Sequence, residues 1–213
     1  MDFRKGTHAE VRGMRPYESA GGDGLMRNVY IILSQTGTLF SRLIALYTRD
    51  QYNHASFAFE SNLPVMYSFG RRRRYNMLDC GFVQESFTRG LFSFFPNARC
   101  CVLEIPVTQA EYDVMQDAVN SFCQNYKQYR YNLLGVFSYI FGIGLVREDY
   151  YFCSQFVSYI LNYTSFWKLS PQFTRPIDFL SIPHRHIIFE GRVSEFIALH
   201  SANPVPGEIT PVL

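Results

Sequence analysis

Short apolar runs bounded by turn-forming residues alternate in this chain with segments of helical periodicity, and this alternation constrains the fold more than any other feature. From the β-branched and aromatic content we expect strands at residues 28–34, 53–60, 65–70 and 99–107. The turn cluster at residues 61–64 predicts a hairpin between the second and third of these strands. Apolar periodicity predicts helices at residues 38–47, 108–126, 132–141 and 153–163, and residues 186–196 indicate a final strand pair. Without an internal repeat or linker, this order of elements predicts one α+β domain.

The length and composition fit a folded domain of ordinary size. The chain has 213 residues, of which 47% are hydrophobic, and this is enough apolar material for a core. Aromatic residues make up 17% of the chain, a fraction that excludes a disordered protein. We expect a flexible N-terminal extension at residues 1–27, a single domain at residues 28–200 and a C-terminal tail at residues 201–213.

The charge pattern narrows the choice of partners. The net charge of +2 does not favour nucleic acid as the main partner. No apolar run is long enough to span a membrane, and the first residues lack the apolar stretch of a secretory signal, so we expect a cytoplasmic protein. The local exception is the run Arg71, Arg72, Arg73 and Arg74, which is either a solvated loop or a contact for an anionic ligand.

The five cysteines are Cys80, Cys100, Cys101, Cys123 and Cys153. They show no CxxC spacing, which argues against a zinc site, and without an export signal a disulfide framework is not expected. We therefore expect neither a metal nor another cofactor, and the question becomes which thiol is reactive.

Cys153 is the strongest candidate nucleophile, because it lies at the predicted first turn of a helix. The partial positive charge of a helix N-terminus favours the thiolate, and the free N–H groups there can hold a developing oxyanion. The helical face that begins with Cys153 is apolar, so the sulfur is expected to point at the sheet. The alternative is an inert buried cysteine.

His54 is the candidate base. On a strand it shares one face with Ser56 and Ala58, and these small residues leave room for a helix to approach the ring. The alternative is a histidine that is merely hydrogen-bonded at the start of a strand. His186 is the reserve candidate.

Three segments, YNHASFAFE, VMYSFGR and YFCSQFVSYIL, resemble the permuted branch of the NlpC-type, papain-like superfamily, which includes relatives of lecithin retinol acyltransferase. The resemblance covers residues 28–195. It implies a circularly permuted papain-like fold, in which an antiparallel sheet packs against helices. It also implies that Cys153 is the nucleophile and His54 the general base.

The resemblance further implies a third polar residue, which orients the imidazole and falls here at Ser68. Hairpin registers that pair Glu60 with Pro64, or Ser61 with Val65, place Ser68 on the His54 face. A carboxylate is commoner at this position in the relatives. Glu60 and Glu85 are therefore alternative orienting residues, although Glu60 lies too far along the strand for a direct bond.

Together these expectations describe a thiol hydrolase that cleaves a peptide or isopeptide-like amide through an acyl-enzyme on Cys153. The substrate would be a small molecule containing an amide or peptide bond. The alternatives are a non-catalytic binding module with the same fold and a lipid-directed acyltransferase or esterase that uses the arginine run.

Overall fold

In the computed structural model, the described residues are 25–35, 50–72, 79–135 and 147–202. The helix predicted at 38–47, most of the helix predicted at 132–141 and most of both terminal segments lie outside these ranges. The predicted domain boundaries therefore remain predictions.

Eight strands and three helices form the framework. The strands are β1 (Met26–Gln35), β2 (His54–Ala58), β3 (Met66–Arg71), β4 (Cys80–Glu85), β5 (Arg99–Thr108), β6 (Arg130–Tyr131), β7 (Tyr150–Tyr151) and β8 (His186–Arg192). Within the described ranges, the α-helices are labelled α1 (Gln109–Gln124), α2 (Cys153–Leu161) and α3 (Val193–Ala202). Single 3₁₀ segments lie at Phe92–Phe94, Pro171–Phe173 and Pro176–Ser181.

The strands form one sheet in the order β7-β6-β4-β3-β2-β1-β5-β8. Neighbouring strands are antiparallel except β6 and β7, which are parallel. The expectation of an α+β fold with a mostly antiparallel sheet is confirmed.

The two faces of the sheet carry separate cores. We call the face with Ala55 and Phe57 the first face, and it packs against α1 and α2 through Met115 and Phe156. The second face carries Ala58 and packs against Phe92 and α3. Burial on both sides explains why β1 is a continuous apolar run from Val29 to Leu33.

Helix α1 begins where the sequence predicts, because Thr108 caps it. The Thr108 hydroxyl accepts a hydrogen bond from the Glu111 N–H at 3.2 Å, and the Glu111 carboxylate accepts one from the Thr108 N–H at 2.9 Å. The same carboxylate also accepts a bond from the Ser165 N–H at 2.8 Å. The capping box therefore joins α1 to the loop after α2.

The strand pair predicted at residues 186–196 is wrong. The structure has one strand, β8, followed directly by α3. The Arg192 N–H donates to the Glu195 carboxylate at 2.8 Å, which starts a helical turn. Val193 and Phe196 then bury the same helical face in the core of the second face. None of the described helices is long and apolar enough to cross a membrane.

Candidate active site

Cys153 is the first residue of α2, and it is only 6% exposed. The preceding residue, Phe152, has an extended backbone, so the chain turns sharply into the helix at the cysteine. The Phe152 N–H donates to the Gln155 side chain at 3.4 Å, which ties the entry to the first turn. The sulfur therefore lies at the end of a helix where backbone N–H groups have no intrahelical acceptor.

The sheet opens beside this helix terminus. Phe57 of β2 lies opposite Tyr67 of β3. This is the same antiparallel register as the predicted pairing of Glu60 with Pro64. Nearer the start of β2, the Ala55 carbonyl accepts a bond from the Ser68 hydroxyl at 2.7 Å, and the Ala55 N–H is hydrogen-bonded to the Cys153 sulfur. The Ser68 hydroxyl and the Cys153 thiol thus bind the Ala55 backbone groups that a neighbouring strand would otherwise pair with.

Cys153 and His54 are in contact at this opening, where their side chains are hydrogen-bonded. The expectation that the helix packs on the small face of His54 is wrong, because α2 packs on the first face through Phe156 and Val157. Phe92 covers the second face instead, with its ring 6.4 Å from the His54 ring. The thiol meets the imidazole through the gap between strands.

Glu85 holds the far side of the His54 ring. Its carboxylate oxygens lie 2.9 and 3.2 Å from His54 Nε2. The Ser56 hydroxyl donates to the same carboxylate at 2.7 Å. Since Nε2 is committed to Glu85, Nδ1 is the nitrogen left for the thiol.

Ser68 lies on the His54 face as predicted, but it is not the main partner of the ring. Its hydroxyl is 3.5 Å from His54 Nε2 and makes its shorter bond to the Ala55 carbonyl. Glu85, an alternative in the sequence analysis, is the closer partner of the imidazole. The geometry assigns orientation of the ring to Glu85 and support of the β2–β3 opening to Ser68.

The thiol of Cys153, the imidazole of His54 and the carboxylate of Glu85 stabilise one another's charged forms. Burial acts to raise the pKa of the Cys153 thiol, but the His54 side chain and the Ala55 and Ser154 N–H groups lower it below 9.0. Burial acts to lower the pKa of His54, but Glu85 and Cys153 hold it well above 6.5. Burial likewise acts to raise the pKa of Glu85, which His54 and Ser56 lower below 4.5. These directions favour a thiolate beside an imidazolium.

Tyr131 completes the group, and the sequence analysis did not identify it. Its side chain is hydrogen-bonded to the Cys153 sulfur. Burial and the nearby Cys153 raise the pKa of Tyr131 well above 10.0, so the hydroxyl stays protonated and donates. Because β6 is only two residues long and the aromatic residues around it are numerous, no sequence signal distinguished this tyrosine.

The other predicted residues lie apart from this group. His186 is exposed on β8, which is the edge strand on the other side of the sheet from β4. Arg71 ends β3, and the Arg72 guanidinium donates to the Tyr126 and Tyr129 carbonyls at 2.6 Å each. Arg73 and Arg74 lie outside the described residues.

All five cysteines are free thiols, and the described ranges contain no cluster of three or more residues that could hold a metal ion. Cys100 and Cys101 are buried in the sheet, where burial raises their pKa to about 12 and about 11. Burial also raises the pKa of Cys80 and of Cys123 above 9.0. Cys153 therefore differs from the other four cysteines in the direction of its pKa shift.

No family model, curated protein or solved structure matches this chain.

Proposed function

We propose that this protein is a thiol hydrolase of the permuted papain-like type, which cleaves an amide bond through an acyl-enzyme on Cys153. One observation carries the proposal: a cysteine at a helix N-terminus is hydrogen-bonded to a histidine whose other nitrogen binds a carboxylate. The order of the residues, with His54 on an early strand and Cys153 at the start of a late helix, supports the permuted arrangement.

In the first half of the reaction, the Cys153 thiolate attacks the carbonyl carbon of the amide. The oxyanion that forms would accept hydrogen bonds from the Cys153 N–H and the Tyr131 hydroxyl. The His54 imidazolium gives its proton to the amide nitrogen, the C–N bond breaks, and the amine leaves. The acyl group is then held as a thioester on the Cys153 sulfur.

In the second half, neutral His54 takes a proton from water as the oxygen attacks the thioester carbon. The C–S bond breaks, the carboxylic acid leaves, and the thiolate and imidazolium are restored. Glu85 stays ionised throughout and stabilises the imidazolium, as the carboxylate does in other catalytic triads. Ser56 keeps that carboxylate in place through its 2.7 Å bond.

A labelling experiment tests the proposal. At pH 6, iodoacetamide should modify Cys153 in the native protein, while the four thiols with raised pKa react slowly. p-Nitrophenyl acetate should release a burst of about one equivalent of nitrophenolate and acetylate Cys153, as measured by peptide mass spectrometry.

Cys153→Ala should abolish both signals, and Cys123→Ala serves as the matched control that retains them. His54→Ala should remove the burst. Persistent labelling of Cys153→Ala would mean that another cysteine is the reactive one, and the proposal would fail. A Cys153 thiol that titrates at about 8.5 like a free cysteine would mean a binding module rather than an enzyme.

A further inference from the structure

A groove of about 760 Å³ runs along the outer edge of β4. One wall is the end of α1 with Cys123 and Tyr126, and the other is the segment around Leu91 and Phe94. The Phe94 side chain is 48% exposed, so this wall presents apolar surface.

The charge of the groove is positive. Three arginines line it, Arg71, Arg72 and Arg89. Arg72 is occupied by Asp79 and by the backbone carbonyls that it binds. Within the described ranges, no carboxylate forms an ion pair with Arg71 or Arg89. The one carboxylate that lines the groove, Glu85, is already bonded to His54 and Ser56.

The floor of the groove is an open strand edge. On its outer side β4 pairs with β6 only where Gly81 lies opposite Arg130. Along residues 82–85, no strand of the described ranges covers that side. This edge is about 13 Å long at about 3.3 Å per residue, and the outward backbone groups that no described strand pairs can bind an extended peptide.

The edge leads directly to the candidate active site. Glu85 is both the last residue of β4 and the partner of His54. A methyl group at Gly70 would lie 3.5 Å from Glu85 Oε1 and 4.0 Å from His54 Cε1, and the next residue is Arg71. The groove therefore reaches the carboxylate that binds His54 Nε2.

We propose that this groove binds an acidic peptide as an added strand on β4, with Arg71 and Arg89 pairing with a carboxylate side chain of that peptide. The inference rests on the proposed function and specifies its substrate class. Backbone pairing favours a peptide as the occupant over a lipid. Arg71 and Arg89, which pair with no carboxylate of the described ranges, select for negative charge.

Matched covalent probes test the inference. Acetyl-dipeptidyl and acetyl-tripeptidyl acyloxymethyl ketones are prepared with Glu, or with the isosteric Gln, two or three residues before the reactive group. The second-order rate constant for modification of Cys153 is measured for each probe. In the native protein the better Glu probe should react about tenfold faster than its Gln partner.

The double variant Arg71→Gln/Arg89→Gln should bring the Glu-to-Gln ratio to about one while the Gln probe reacts at the native rate, which shows that the variant is folded. Arg192→Gln, on β8 at the opposite edge of the sheet, is the matched control and should keep the native ratio.

The outcomes separate the two proposals. If the Gln probes modify Cys153 but the native ratio is about one, or survives the double variant, the acidic-peptide inference is overturned and the hydrolase proposal stands. If no probe modifies Cys153, the hydrolase proposal fails and the substrate inference fails with it.

Discussion

Glu85 lies 31 residues after His54 in the chain, and yet it determines the charge state of the candidate site. Its carboxylate holds the pKa of His54 up against burial, and the imidazolium in turn holds the pKa of Cys153 down. The thiolate–imidazolium pair therefore exists above the lowered pKa of Cys153 and below the raised pKa of His54. Removing the Glu85 charge must narrow this window from both ends.

Glu85→Gln should lower the alkylation rate of Cys153 at pH 6 by at least about tenfold, because the neutral amide no longer stabilises the imidazolium. The onset of alkylation moves to higher pH, because a weakened imidazolium no longer holds the pKa of Cys153 as low. A pH profile of iodoacetamide modification measures this shift.

Glu60→Gln is the matched control, since Glu60 is exposed and follows β2 without contacting the ring. An unchanged pH profile in Glu85→Gln would contradict the role given to the carboxylate and would restore Ser68 as the orienting residue.

At the scale of the element, α2 is fixed to the rest of the chain by buried hydroxyl groups. The Ser158 hydroxyl accepts bonds from Trp167 Nε1 at 3.1 Å and from the Thr174 hydroxyl at 3.0 Å. The Ser154 hydroxyl donates to the Thr174 carbonyl at 2.6 Å. These bonds hold the helix that carries Cys153 against the loop that follows it.

Ser158→Ala should lower the free energy of unfolding by about 1–3 kcal/mol, because it leaves the buried Trp167 N–H without an acceptor. Urea denaturation followed by Trp167 fluorescence measures the change. Ser165→Ala, at an exposed position of the same loop, should stay within about 0.5 kcal/mol of the native protein. Equal effects of the two substitutions would argue against a structural role for the network.

Local patterns predicted the elements whose signals are strong. The helix predicted at residues 108–126, the apolar run of β1 and the hairpin around residues 61–64 all appear where expected. Residues 186–196 failed because a short apolar stretch has no decisive periodicity, and the helix start depends on a contact between Arg192 and Glu195. The sequence placed Ser68 before Glu85 as the partner of His54, because Glu85 reaches His54 only through the registers of β2, β3 and β4.

At the scale of the whole molecule, an aromatic cluster joins the early strands to the late helix. The Phe69 ring of β3 contacts Phe82 of β4 at 5.8 Å, Phe122 of α1 at 6.1 Å and Phe156 of α2 at 5.6 Å between centroids. The sequence analysis did not predict that one ring would touch all three elements. The cluster couples the strand of Ser68 and Arg71 to the helix of Cys153.

Phe69→Ala should lower the free energy of unfolding by about 3–5 kcal/mol, because it removes a fully buried ring and leaves a cavity between the sheet and both helices. Chemical denaturation measures this loss, and Phe173→Ala, where the ring is 44% exposed, provides the comparison. A loss no larger than that of Phe173→Ala would show that the cluster does not bear the packing energy assigned to it.

The four side chains of the candidate site come from both halves of the chain, His54 and Glu85 before α1 and Tyr131 and Cys153 after it. A growing polypeptide accordingly contains the imidazole and its carboxylate long before it contains the thiol. No fragment that ends before residue 153 can assemble the charge pair, and a fragment that begins after β4 lacks both the imidazole and its carboxylate. The pair can therefore form only when both halves of the chain have folded together.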